Sequence, residues 1–264
     1  MKQEQFITAE DDTRIRYVKW SNKNATKRAV LIHSLAMNAE FWEPTVKSLD
    51  PDWDVIAIDC RGHGQSDKPA GPYSVALFAD DVASVMDDAG WENAVVGGAS
   101  MGGCVALSFA ENHASRISGL YLIDTTSWYG DTAIDDWEER GQKAVNGGLE
   151  SMIGFQKTRW FSESFVDQNE GIVNAAVDVF LANKPAAYLE TCRMLGRCNQ
   201  SHALASIAVP TKILVGEQDY ATPVAMASSM QEAIAGSTLT VIPNVRHFTP
   251  LEVPEKIAEL LAAF

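Results

Sequence analysis

The sequence predicts an α/β fold in which a mainly parallel sheet carries helices on both faces. Short apolar segments alternate along the chain with longer segments of helical periodicity, as strands and helices do in such a sheet. The segment Ala29–Ile32 is continuously apolar, which is typical of a central parallel strand. The alternation stops between residues 127 and 201 and then resumes, which indicates an insertion into a single sheet.

The elements before the insertion follow in a regular order. Two strands, Phe6–Thr8 and Arg14–Val18, are split by a pair of aspartates and predict an opening hairpin. Ser74 precedes a segment with its apolar residues on one face, so we expect it to cap a helix. The other expected elements are a helix over Ala39–Leu49, a strand over Val55–Ile58, a strand ending at Ala99, a helix to about His113 and a strand over Ile117–Ile123.

The insertion is helical in pattern and rich in Trp and Phe, and it contains no clear strand. We therefore expect residues 127–201 to form a helical lid, and residues 1–126 and 202–264 to form the α/β core. The core resumes with a strand over Lys212–Val215, a helix over Ala225–Ala235, a strand over Thr238–Ile242 and a last helix from Pro254. These segments bring the expected number of strands to eight.

Composition excludes several classes of function. The formal net charge is −14 and no cluster of Lys and Arg offsets it, so nucleic acid is not an expected partner. No apolar run approaches the ~18–20 residues of a membrane span. The first residues lack the apolar segment of a secretory signal, so the expected location is the cytoplasm. The four cysteines show no Cys-x-x-Cys spacing and the five histidines no His-Glu-x-x-His, so we expect buried thiols and no zinc site.

Residues 98–102 form a Gly-x-Ser-x-Gly motif between an apolar strand and a helix. In this context the serine is held on a sharp turn that exposes its hydroxyl, and the glycines allow strand and helix to approach closely. The motif predicts that Ser100 is a nucleophile. A serine hydroxyl needs a histidine to take its proton and a carboxylate to orient that histidine.

His247 is the predicted base, because it follows the last strand in a loop that can reach over the strand ends. The other downstream histidines, His113 and His202, lie at the end of a helix and at the exit of the insertion. Asp219 is the favoured acid, since it follows the penultimate strand in a Gly-x-x-Asp turn. Asp124 at the end of the preceding strand faces the same edge of the sheet and remains an alternative, as does Glu217.

Acyl transfer also needs two N–H donors for the oxyanion. Met101 follows the nucleophile at a helix N-terminus, and Leu35 lies in the loop after the central strand. We expect their backbone N–H groups to form the oxyanion hole. His33, in the same loop, is expected to hold that loop by a hydrogen bond.

With these motifs in the order serine, acid, histidine, the chain resembles the α/β-hydrolase superfamily over essentially its whole length. It is more closely similar to 3-oxoadipate enol-lactonases, through the Ser100-Met101-Gly102-Gly103 segment, Trp137, Arg159-Trp160-Phe161 and Tyr188-x-x-x-Cys192. One departure is the loop sequence His33-Ser34-Leu35-Ala36, where that family usually has Asn-Ser-Leu-Gly.

The resemblance implies hydrolysis of a small lactone or carboxylic ester through an acyl-enzyme on Ser100, with an enol-lactone-like substrate favoured. It also implies that no metal or organic cofactor is required. The residues expected to contact the substrate are Ser34, Trp137, Arg140, Arg159, Trp160 and Phe248. Other reactions use the same three groups: hydrolysis of C–C bonds in ring-cleavage products, general carboxylesterase activity, and cofactor-free haloperoxidase or perhydrolase activity. A receptor with a hydrolase fold is the alternative that is not an enzyme.

Overall fold

The computed structural model describes all 264 residues and contains one eight-stranded sheet. In chain order the strands are β1 (Lys2–Thr8), β2 (Arg14–Trp20), β3 (Lys27–Ile32), β4 (Trp53–Ile58), β5 (Ala94–Ala99), β6 (Ile117–Ile123), β7 (Thr211–Gly216) and β8 (Thr238–Ile242). Across the sheet they are ordered β1-β2-β4-β3-β5-β6-β7-β8. Only the β1–β2 and β2–β4 pairs are antiparallel, so the predicted mainly parallel sheet of eight strands is confirmed.

The centre of the sheet is buried on both faces. All six residues of β5 are buried, as are the last four of β3, because helices cover both sides of a parallel sheet. In the register of the ladder Ile32 pairs with Gly98, Ala99 with Ile123, and Ile123 with Leu214. The carboxyl ends of β3, β5, β6 and β7 are therefore aligned, and the loops that follow them lie at one edge of the sheet.

The helices are α1 (Glu43–Lys47), α2 (Val75–Asp88), α3 (Met101–Asn112), α4 (Ala133–Gly147), α5 (Ile153–Trp160), α6 (Glu163–Gln168), α7 (Glu170–Leu181), α8 (Pro185–Gly196), α9 (Val224–Ala233), α10 (Thr249–Glu252) and α11 (Pro254–Ala262). Ser74 caps α2 as predicted, since its hydroxyl accepts the N–H of Leu77 at 3.1 Å. None of these helices combines the length and the apolar composition needed to cross a membrane.

The single helix expected over Ala39–Leu49 is not found. A 3₁₀ turn over Ala39–Trp42 is followed by the short helix α1. Pro44 explains the break, because a proline has no N–H to donate and its ring is accommodated only in the first turn of a helix.

Helices α4 to α8 form the segment inserted between β6 and β7. Its two ends meet where the N–H of Gln200 donates to the carbonyl of Ser127 at 2.8 Å. It also contacts the loops at the sheet edge: the Asn183 side chain donates to the carbonyl of Ala36 at 2.8 Å, and the N–H of Phe248 donates to the carbonyl of Trp160 at 2.9 Å. The inserted segment is thus tied to the loops after β3 and β8.

Candidate active site

Ser100 lies on a strained turn between β5 and α3. Its backbone has φ +54° and ψ −115°, an unusual conformation for a residue other than glycine. Its N–H donates to the carbonyl of Ile123 at 2.9 Å, which ties the turn to β6. A Cβ at Gly98 would lie 2.1 Å from the backbone of Gly102, and a Cβ at Gly102 would lie 2.1 Å from the carbonyl oxygen of Ile32. The close approach of β5, α3 and β3 therefore requires glycine at both positions.

A continuous hydrogen-bond chain runs from Ser100 through His247 to Asp219. Ser100 Oγ lies 2.9 Å from His247 Nε2, and His247 Nδ1 lies 2.7 Å from Asp219 Oδ2. The three residues are only 4–6 % exposed. This is the geometry in which a histidine can take the proton of a serine hydroxyl while a carboxylate holds the ring.

The Asp219 carboxylate is held on all sides by donors. Oδ1 accepts the N–H groups of Ala221 at 2.7 Å and Thr222 at 3.1 Å, and Oδ2 accepts the Thr222 hydroxyl at 2.9 Å. Burial by itself would raise the pKa of Asp219, but His247 and these donors bring it below its usual value. Thr222 was not predicted to be a site residue. Its position directly before Pro223 was the only sequence feature that drew attention to it.

Asp124, the alternative acid, does not contact His247. One of its oxygens accepts the N–H of Gly216 at 3.0 Å, and the other accepts the N–H and the hydroxyl of Thr249 at 3.2 and 2.6 Å. Glu217, the third acidic residue considered, accepts the N–H of Asn244 at 3.1 Å. Of the three candidates, only Asp219 lies within hydrogen-bond distance of the imidazole.

The loop that carries Leu35 turns tightly beside the start of α3. Ala36 adopts φ +62°, and its carbonyl accepts the side chain of Asn183. The N–H of Leu35 donates no hydrogen bond within the protein. Met101 is the first residue of α3, so its N–H has no acceptor inside the helix. Neither of the two predicted oxyanion donors is thus engaged by an acceptor within the protein.

His33 holds this loop as the sequence predicted. Its Nδ1 lies 2.7 Å from the carbonyl oxygen of Ser34, and its Nε2 accepts the N–H of Cys60 at 3.1 Å. Burial lowers the pKa of His33 to about 4, so the imidazole is neutral and acts as a structural bridge. Ser34 itself is buried, with its carbonyl engaged by His33 and by the N–H of Met37.

A cavity of about 970 Å³ lies between α4, α5 and the start of α9. Its wall includes the predicted substrate residues Trp137, Arg140 and Arg159, together with Tyr129. Ala221, whose N–H donates to Asp219, also lines it, whereas Ser100 and His247 do not. The cavity therefore adjoins the acid end of the hydrogen-bond chain.

Two predicted substrate residues pack on each other instead of lining this cavity. The rings of Trp160 and Phe248 are stacked with centroids 4.9 Å apart, and further aromatic rings cover them. Both side chains are at most 3 % exposed. They join α5 of the inserted segment to the loop that carries His247, which gives them a packing role.

The two cavity arginines have different environments. Arg140 donates from Nε to Tyr188 Oη at 2.8 Å and from Nη2 to Gln156 Oε1 at 3.2 Å, and its guanidinium lies 4.8 Å from the centroid of Trp137. Arg159 donates no hydrogen bond and forms no ion pair. Burial and then the charge of Arg140 lower the pKa of Arg159 to about 10. No sequence pattern marked Gln156, the second partner of Arg140, as a site residue.

No three His, Cys, Asp or Glu side chains lie close enough together to hold a metal ion. The four cysteines are buried and free, as expected from their spacing. Cys104, one helical turn after Ser100, donates its thiol to the carbonyl of Thr126 at 3.3 Å.

Comparison with known proteins places the chain in a family. A family model described as the alpha/beta hydrolase fold matches residues 30–198. The chain belongs to the α/β hydrolase family, and it is a hydrolase.

Within that family, the chain is similar to enzymes that act on lactones and esters. It is 30% identical over 238 residues to 3-oxoadipate enol-lactonase 1 of Acinetobacter baylyi, which is 89% of this chain and 87% of that protein. It is also 30% identical to the pimeloyl-[acyl-carrier protein] methyl ester esterase of Neisseria meningitidis, over 92% of this chain and 78% of that protein. The crystal structure of the enol-lactonase from Burkholderia xenovorans LB400 superposes with a TM-score of 0.92 at 26% identity over 98% of both chains. The similarity to enol-lactonases predicted from the sequence is confirmed.

Proposed function

We propose that the protein cleaves a small lactone or carboxylic ester through an acyl-enzyme on Ser100, and that an enol-lactone-like substrate is favoured. The hydrogen-bond chain from Ser100 Oγ through His247 to Asp219 carries this proposal. The enol-lactonases and the methyl ester esterase among its relatives support the same class of bond.

The first half of the reaction forms the acyl-enzyme. Ser100 Oγ attacks the carbonyl carbon while His247 Nε2 takes the hydroxyl proton, and Asp219 stabilises the imidazolium that results. The oxyanion accepts hydrogen bonds from the backbone N–H groups of Leu35 and Met101. When the intermediate collapses, the imidazolium gives its proton to the leaving oxygen.

The second half releases the acid. A water molecule gives a proton to His247 Nε2 as its oxygen attacks the acyl carbon, and the imidazolium then returns that proton to Ser100 Oγ. An enol leaving group tautomerises to a ketone, which favours the forward reaction. No step needs a metal ion or an organic cofactor.

Replacement of Ser100 tests this proposal. Ser100→Ala and His247→Ala should each lower kcat by about 10⁴–10⁶, because the three groups act as a unit and the loss of one removes the contribution of all. The double variant should be little worse than either single variant. The assay panel contains p-nitrophenyl esters, γ- and δ-lactones, enol-lactones and vinylogous diketones, with labelling by a fluorophosphonate probe.

Ser108→Ala is the matched control, because Ser108 is a fully buried serine two turns further along α3. Its labelling and turnover should equal those of the wild type. Substantial turnover in Ser100→Ala on the best substrate contradicts the proposed mechanism.

The environment of Arg159 indicates that the proposed substrate carries a negative charge. The acidic residues in the cavity wall already have partners, since Asp136 accepts the hydroxyl of Thr132 at 2.7 Å and Glu139 pairs with Lys143 at 2.8 Å. Arg159 has none, and a partly buried guanidinium without a partner favours an anionic ligand. We propose that it binds a carboxylate of the substrate while Arg140 is held in place by Tyr188.

A pair of substrates that differ only in charge tests this assignment. Arg159→Gln should raise KM at least tenfold for a lactone with a carboxylate side arm, and spare the corresponding carboxamide. Arg193→Gln is the control, because Arg193 is a cation of α8 that pairs with Glu138 and Glu190 outside the cavity wall. Equal effects of Arg159→Gln on both lactones contradict the anionic substrate and leave the Ser100 mechanism intact.

A further inference from the structure

The hydroxyl of Thr222 lies between the acid and the base of the proposed triad. Thr222 is 1 % exposed, and its Oγ1 lies 2.9 Å from Asp219 Oδ2 and 3.4 Å from His247 Nδ1. The same carboxylate oxygen lies 2.7 Å from His247 Nδ1. The hydroxyl and the imidazole therefore share one oxygen of Asp219.

The direction of each hydrogen bond follows from the neighbours. His247 Nε2 must accept the proton of Ser100, so the ring proton of the resting imidazole is on Nδ1 and is donated to Asp219. An ionised carboxylate only accepts, so the Thr222 hydroxyl donates to it as well. Oδ2 consequently receives two donors, one of which is not part of the proton relay.

Thr222 is not needed to hold Asp219 in position. The other carboxylate oxygen, Oδ1, is already fixed by the backbone N–H groups of Ala221 and Thr222. These bonds persist whatever the side chain at position 222 is. The distinct contribution of the hydroxyl is therefore electrostatic, because a donor to a carboxylate lowers the negative charge that it offers to a second partner.

We propose that the Thr222 hydroxyl is a tuning residue of the triad, which weakens the hold of Asp219 on protonated His247 and thereby extends activity to lower pH. Thr222 acts through Asp219 and does not touch the reacting atoms. The inference deepens the function proposed above and rests on the roles given there to Ser100, His247 and Asp219.

Two further charged groups act on this pair from neighbouring elements. Asp124 lies at the end of β6 and Arg159 on α5, and their charges act on Asp219 with opposite sign. A substitution at position 222 changes neither of them. A difference between the pH profiles of the wild type and a Thr222 variant therefore reports the hydroxyl alone.

The pH dependence of Ser100 labelling by a fluorophosphonate tests the proposal without knowledge of the natural substrate. In Thr222→Val the midpoint of the acid limb should move upward by about 0.5–1 pH unit, because the carboxylate then stabilises the imidazolium more strongly. Thr222→Ser keeps the hydroxyl and should follow the wild-type profile. Thr211→Val is the control, since Thr211 is a buried threonine at the opposite end of β7 whose hydroxyl bonds to Val209.

A second readout is the downfield ¹H resonance of the His247 Nδ1 proton, assigned by its loss in His247→Ala. It should move further downfield in Thr222→Val, since the imidazole then has Oδ2 to itself, and stay in place in Thr222→Ser. An unchanged profile and resonance in Thr222→Val overturn the proposal, as do equal shifts in the Val and Ser variants. Absence of labelling in the wild type contradicts the proposed function instead, and the resonance then still decides the role of Thr222.

Discussion

Asp124 and Asp219 are buried carboxylates at the same edge of the sheet, and they are held in closely similar ways. Asp124 follows β6 and Asp219 follows β7, and each accepts backbone N–H groups and one threonine hydroxyl. The threonine is Thr249 for Asp124 and Thr222 for Asp219. They differ in one partner, because only Asp219 also accepts the Nδ1–H of His247.

The pKa values of the two carboxyl groups shift in opposite directions, and His247 is the partner that distinguishes them. Burial and then the nearby charge of Asp219 raise the pKa of Asp124 well above its usual value. Burial acts on Asp219 in the same direction, but His247 and the donors around it reverse the outcome. The comparison teaches that strand position and burial do not distinguish the two carboxylates, whereas the hydrogen bond to His247 does.

Asp124 has a structural role that depends on the same contacts. Its two oxygens connect the end of β6 to Gly216, three residues before Asp219, and to Thr249, two residues after His247. It therefore connects the loop that carries Asp219 to the loop that carries His247.

The largest expected effect that separates the two carboxylates is on turnover. Asp219→Asn should lower kcat by about 10⁴ with the fold intact, because an amide in place of the carboxylate favours the wrong tautomer of His247. Steady-state kinetics on the best ester or lactone measure the effect, and circular dichroism checks the fold. A kcat within tenfold of the wild type contradicts the assignment of Asp219 as the acid.

The contrast between Asp219 and Asp124 also marks the limit of prediction from the sequence. Both residues follow an apolar strand, and the pattern alone could only favour the Gly-x-x-Asp turn of Asp219. The hydrogen bond to His247 spans 28 residues and depends on how two loops meet, which no local pattern records.

Local signals were sufficient for much of the fold. The strands predicted over Ile117–Ile123 and Thr238–Ile242 have the observed bounds, because apolar runs between turn residues define buried strands. Local patterns record less where long-range packing decides. Trp160 and Phe248 were predicted to contact the substrate, but no pattern indicates that their rings stack, since 88 residues of chain separate them.

The second prediction concerns Asp124→Asn, for which we expect a loss of stability and a kcat within about tenfold of the wild type. If the Asn oxygen accepts both Thr249 donors, its NH₂ group faces the N–H of Gly216. A buried N–H left without an acceptor costs about 1–3 kcal/mol, which urea denaturation can measure. A larger loss of kcat in Asp124→Asn than in Asp219→Asn shows that the acid has been placed on the wrong strand.

The smallest expected effect is the pH dependence of that stability difference. Because the folded pKa of Asp124 is raised above the unfolded value near 3.8, the native state binds a proton that the unfolded chain does not bind. The free energy of unfolding of the wild type should therefore increase relative to Asp124→Asn as the pH falls from 7 towards 4. The lowered pKa of Asp219 acts with the opposite sign, as its contribution is present above about pH 3.8 and is lost only below it. A difference between the wild type and Asp124→Asn that stays constant between pH 5 and 7 contradicts the contrast drawn between the two carboxylates.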